Sequence, residues 1–137
     1  MQVYPENTPE KIEFREVCEQ IARFCSGRLS REAALQLRPS ADYNEVIKEL
    51  NRAQAFLEIR ANGLSFPEFR YIEAGKELGM LGIGGALLEG QQLMLLRELS
   101  VVTSALIIGV GKMEDFPALQ EMVGHTEPED AIRKMID

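Results

Sequence analysis

One stretch limits the folds open to this chain more than any other: DYNEVIKELNRAQAFLEIRAN, from Asp42 to Asn62. Tyr43, Val46, Ile47, Leu50, Ala53, Phe56, Leu57 and Ile59 recur at the three- and four-residue spacing that gathers them on one side of a helix. Asp42 is placed to accept from the orphan amides of the first turn, and Glu45 to reach back as in a capping box. Asn62-Gly63 supplies the stop, because a residue with positive φ closes a last turn at little steric cost. A helix of about 20 residues spans roughly 30 Å. That is enough to be the spine of a domain of this size.

The rest of the chain reads as further helices around that spine. Thr8-Pro9-Glu10 opens a first one, with Thr8 as cap and Pro9 at the first helical position, where its missing N–H is harmless. Ile12, Phe14, Val17, Cys18, Ile21, Ala22, Phe24 and Cys25 form its apolar stripe, and Ser26-Gly27 breaks it. A shorter helix follows from about Leu29 to Leu37 and stops before Pro39, since the residue preceding a proline avoids the helical region. From Gly63 to Gly90 lie Pro67 and seven of the eleven glycines, so no single helix crosses the segment. A short helix is expected at about Phe69 to Leu78, then a packed irregular turn. Helix resumes from about Glu89 to Val110 on Leu93, Leu96, Leu99, Val102 or Thr103, Leu106 and Val110, apolar over more than one face. Phe116 to Val123 gives two turns, and Pro128 opens a last helix through Ala131, Ile132, Met135 and Ile136. The expected architecture is a single all-α domain over residues 1–137, multihelical and bundle-like, built around residues 42–62. The apolar pattern of the last helix is still running at Asp137, which suggests a fragment of a longer protein. No repeat of helical-solenoid length is present.

At 137 residues the chain can bury a core without metal or disulfide staples. Its formal charge of −7 argues against a free-standing binder of phosphate backbones, whose affinity comes from clustered Lys and Arg. The opening MQVYPENTPEK lacks a signal-peptide pattern. The run Val101 to Gly111 covers about half a membrane span, so no transmembrane helix is expected. Cys18 and Cys25 stand about 10 Å apart along one helix, too far for a mutual disulfide. As buried thiols they suit a reducing cytoplasm.

Motifs that promise chemistry fail on inspection. Gly111-Lys112 invites a phosphate-loop reading, but the required Gly and Ser/Thr positions hold Leu106 and Met113, and the pair ends a helix rather than opening one. Gly82, Gly84 and Gly85 lack the third glycine of a dinucleotide loop, where Leu87 stands instead. His125 has no second histidine or cysteine with ligand spacing, so no metal or cofactor site is expected. Glu127, Glu129 and Asp130 read as a helix N-terminal turn. No Ser or Cys has a base partner, so the chain is not expected to be an enzyme. One imbalance remains: Arg23, Arg28, Arg31 and Arg38 face Glu32 alone. These are candidate contacts for DNA or an acidic partner, although solvated arginines around two helix ends are the commoner source of such a pattern.

The run IEFREVCEQIARFCSGRLSREAALQLRPSADYNEVIKELNRAQAFLEI resembles the opening of the MutS family of DNA-repair ATPases. The similarity is to the subfamily that begins directly with the helical core and lacks the mismatch-reading domain. Ile12-Glu13-Phe14, Ala34-Leu35-Gln36-Leu37-Arg38-Pro39-Ser40 and Asp42 to Leu57 occupy its "LEF", "ALxLxPS" and long-helix places. The match is looser through Gly84-Gly85-Ala86-Leu87, Gln92-Leu93, Phe116-Pro117-Ala118-Leu119 and the closing residues. Ser30 and Tyr71-Ile72 depart from the family pattern. The resemblance implies the first part of a core that passes motion between DNA-clamping arms and an ATPase domain. Its partners would be the remainder of its own polypeptide, DNA through the full-length protein, and a second copy when full length. ATP and Mg²⁺ would bind downstream, outside these residues. The alternative is a self-contained helical interaction domain that dimerises through the apolar helix at 89–110, with no enzymatic activity.

Overall fold

The computed structural model describes residues 12–128 and 131–136. Among them the chain is all helical: α1 (Phe14–Phe24), α2 (Arg28–Leu35), α3 (Tyr43–Ala61), α4 (Gly75–Leu81), α5 (Gly90–Gly111), α6 (Pro117–Val123) and α7 (Ala131–Ile136). The expected all-α class is therefore observed. Two compact units divide the chain, Met1–Ile47 and Lys48–Asp137.

In the first unit α1 and α2 pack on each other. The side chains they bury are small: Cys18, Ala22 and Ala34. Small residues let two helix backbones approach closely but remove little apolar area from water. The expected cap at Thr8 to Glu10 lies outside the described residues. α1 begins after Glu13, whose φ of 54° is left-handed, a conformation costly for a side-chain-bearing residue. Gly27 precedes α2 in an extended conformation, and the Ser30 hydroxyl donates to its carbonyl at 3.0 Å.

The start of α3 is capped, but not by the expected pair alone. Asp42 Oδ1 accepts from the amides of Asn44 and Glu45 at 2.8 and 3.1 Å. Glu45, instead of reaching back to the Asp42 amide, accepts from the Ser40 hydroxyl. Ser40 Oγ takes the Asp42 amide at 3.2 Å, so a three-residue relay replaces the capping box. At the other end Gly63 has φ 63°. Its amide donates to Arg60 and that of Leu64 to Ile59, at 3.2 and 2.9 Å, which is the Schellman pattern.

The core of the second unit joins Ala55 and Ile59 of α3, Val110 of α5, and Phe116 and Leu119 around α6, with Phe66, Leu106, Met113 and Val123 packed against it. α6 starts on Pro117, and Gln120 Nε2 donates to the open Gly111 carbonyl at the end of α5 (2.8 Å). α4, α6 and α7 each pack on α5. The segment joining α3 to α4 crosses α5 so closely that a Cβ on Gly109 would stand 2.7 Å from Pro67 Cγ.

Two expectations need correction. The short helix expected at 69–78 forms six residues later, at Gly75–Leu81. Phe69 is engaged edge-on with Phe66 at 6.3 Å, and Arg70 pairs with Glu98 of α5. These tertiary contacts hold residues 69–74 out of a helix despite their propensity. The apolar side of α3 is the larger surprise. Of the eight residues assigned to it, Ile59 is buried, Ile47 half-buried, and Tyr43, Val46, Leu50, Ala53, Phe56 and Leu57 exposed. The core takes the neighbouring face, through Ala55 and Ile59.

Leu119→Ala, at a fully buried site, should cost about 2–5 kcal/mol in urea unfolding, against less than about 0.5 kcal/mol for Leu87→Ala at an exposed one. Gly109→Ala should cost about 1–3 kcal/mol through overpacking, and the increment should shrink on a Pro67→Gly background, which removes both the Cγ and the Cβ that stand 2.7 and 2.8 Å from the added methyl.

Candidate docking surfaces

The four candidate arginines are all exposed, on the first unit. Arg23 stands in the last turn of α1. Arg28 pairs with Glu32 one turn along α2, at 2.9 Å. The Arg31 guanidinium donates to the Cys25 carbonyl at 3.4 Å, and that of Arg38 to the Leu37 carbonyl at 2.8 Å. Arg31 and Arg38 thus help to satisfy carbonyls left open at helix ends. Arg38 also lines a groove of about 750 Å³ with Phe14, Arg15, Cys18, Leu35 and Pro39. Arg15, not among the four and flanked in sequence by Glu13, Glu16 and Glu19, shares that groove and pairs with Glu19 at 3.2 Å. The arrangement is a largely apolar slot edged by two cations and one carboxylate, with the Cys18 thiol in its wall.

In the second unit the charged groups between α3 and α6 fasten the two helices. Lys48 donates to Glu121 at 2.6 Å. That hydrogen bond holds the Glu121 carboxyl below its ordinary value; slight desolvation opposes it, and the charges of Lys48, Arg52 and His125 reinforce it. His125 is solvent-facing. Arg52 reaches Glu49 through Nη1, while its buried Nε has no hydrogen-bond partner among the described residues. No group of three or more metal-capable side chains occurs among the described residues.

α5 forms within a residue of its expected bounds, but it is longer and more apolar than the half-span read from Val101 to Gly111 alone. Residues 90–100 join the apolar run at 101–111 into one helix of 22 residues, with a mean hydropathy of 1.9 over its most apolar window, long and apolar enough to cross a membrane. Only 17% of that window is buried. Leu96, Ser100 and Val110 face inward, while Met94, Val101 and Ile108 remain exposed. Arg97 and Glu98 interrupt the apolar surface and line a groove of about 970 Å³ with Arg70, Met94 and Val101. An ion pair with Arg70 at that depth is costly in lipid and ordinary against water. Its start is held by Gln92, whose Oε1 accepts from the Glu89 amide at 2.9 Å. The Gly111-Lys112 pair stands at its C-terminus, where carbonyls rather than amides are presented.

Both units share one surface property. Beyond the grooves, the large apolar side chains of α1 and α3 (Val17, Ile21, Phe24, Leu50, Phe56, Leu57) stand in water. Clustered exposed apolar side chains are a common mark of interaction surfaces. No family model, curated protein or solved structure matches this chain.

The sign of the Glu121 shift fixes an acid-side prediction. A carboxyl depressed in the folded state contributes stability above its unfolded value, and that contribution is lost as pH falls through the folded value. Glu121→Gln should therefore destabilise at pH 7, with the gap to wild type closing as pH falls below the usual glutamate value of 4.5. The pair is exposed, so 1 M NaCl should shrink the gap as well.

Proposed function

We propose that this chain is a helical core and lever segment of a MutS-like DNA mismatch-repair or recombination-control ATPase, acting by packing rather than by catalysis. The motif run at residues 12–57 motivates the family. The observation that carries the role is the burial pattern of the helices bearing that run. They bury Cys18, Ala22, Ala34, Ala55 and Ile59 and leave their larger apolar side chains exposed. A segment built this way has surface left to engage other parts of a larger helical body, as a coupling element between DNA clamps and an ATPase domain requires. The exposed Arg23, Arg28, Arg31 and Arg38 would contact DNA or an acidic part of the same assembly. ATP and Mg²⁺ would act elsewhere in the full-length protein, which would work as a cytoplasmic homodimer.

A second reading draws on the outward strip of α5: a self-contained, non-enzymatic interaction domain that dimerises through residues 89–110. Leu96 is fully buried, so a charge there would unfold the helix packing. Met94→Glu and Ile108→Glu probe the strip instead.

The intact mass of the natural product in its source cell separates the two. A product several times larger, with a GxxxxGK[ST] loop beyond residue 137, is expected. A product of about 137 residues would sink the ATPase reading. In the longer protein, Arg28→Glu with Arg31→Glu should weaken DNA binding several-fold and flatten its salt dependence. Unchanged affinity and slope would remove those arginines from the interface.

A further inference from the structure

The two larger grooves differ in the charge left over on their edges. Beside α5, Arg70 is taken up by Glu98, and Arg97 is engaged as well. In the groove of the first unit, Arg15 and Glu19 pair at 3.2 Å and cancel, which leaves Arg38. One donor of its guanidinium goes to the Leu37 carbonyl at 2.8 Å, and the others meet no acceptor among the described residues. A surplus positive charge with open donors thus edges a slot whose walls are Phe14, Cys18, Leu35 and Pro39. All of these residues belong to the first unit.

We infer that this groove binds a small amphiphilic carboxylate, its head group on Arg38 and its hydrocarbon tail along Phe14, Leu35 and Pro39. Three observations select that class. The first is size. About 750 Å³ lies within the roughly 300–1,000 Å³ of small-molecule sites, which are mostly apolar with a few polar groups that fix orientation. The second is extent. Seven residues line the groove, whereas a standard protein interface engages roughly 20–30 residues a side. The third is charge. A guanidinium offers a carboxylate two parallel hydrogen bonds, and one surplus cation matches one negative head group. A cationic head would meet Arg38 and Arg15, and a bare anion such as phosphate would leave the apolar walls unused. The formal charge of −7 opposes an anion at a distance, but salt screens that repulsion beyond ~8 Å, so the contact with Arg38 decides. The inference stands apart from the ATPase reading, which concerns what lies beyond residue 137.

The test is an amide chemical-shift titration of the ¹⁵N-labelled 137-residue chain. The probes are octanoate, octanol and octylammonium, with acetate as the tail-less control. Octanoate is expected to bind at one site with a dissociation constant on the order of 0.5 mM, moving the amides of residues 14–19 and 35–38. Octanol and octylammonium should bind at least 10-fold more weakly, and acetate should leave those amides in place. Arg38→Gln, at an exposed site, should weaken octanoate about 10-fold without changing octanol. Arg38→Lys, which keeps the charge and loses the fork, should fall between the two. Val101→Gln, in the groove beside α5, should change nothing. A groove that ignores octanoate up to 5 mM would be a protein-docking face and would overturn the inference. So would octanol binding as well as octanoate, shifts that map to residues 90–102 instead, or an Arg38→Gln chain that binds octanoate as tightly as wild type. The head-group comparison needs no variant, so it decides even if a substitution disturbs the fold.

Discussion

Everything in the second unit hangs on the contact of Ile59 with the cluster of Val110, Phe116 and Leu119. It joins the C-terminal half of α3 to the end of α5 and to α6, three elements separated by long stretches of chain. Around it the ends of the helices are tied off by backbone and side-chain bonds: the Schellman turn at Gly63, Gln120 on the Gly111 carbonyl, and Lys48 on Glu121. Removing large apolar side chains from water is the main stabilising term in such a cluster, and few other large side chains here are fully buried. Among the described residues Leu119 of this cluster and Leu96 of α5 are the largest fully buried side chains.

That scarcity links structure to role. The hydrophobic effect does not distinguish a side chain buried in its own fold from one buried against a neighbour. Helices that expose Val17, Ile21, Phe24, Leu50 and Leu57 leave stabilisation available to whatever covers them. The two larger grooves are mostly apolar and edged by paired charges, Arg15 with Glu19 in one and Arg70 with Glu98 in the other.

Much of the helical plan was legible locally. The bounds of α3 agree within a residue with those read from its spacing and its Asp42 and Gly63 signals, because capping is an interaction of neighbours in sequence. α2, α5 and α6 followed for the same reason. α4 did not, because residues 69–74 answer to Phe66 and Glu98, which no local pattern reveals. The arginines of the candidate site were legible as a charge imbalance. Their use in satisfying the Cys25 and Leu37 carbonyls was not, since that depends on where helix ends fall in space.

The sequence by itself determined the class and the punctuation: helices rather than strands, their caps, the stop at Gly63, and the absence of the spacing that nucleotide loops require. Tertiary structure decided which side of each helix is inside. On α3 the apolar periodicity is broad enough to serve two faces, and packing against Val110, Phe116 and Leu119 selected the one through Ala55 and Ile59. The close approach of Pro67 to Gly109 was likewise settled only when the chain folded back on itself. Periodicity records which residues avoid water, and only the partner's position says which of them succeed.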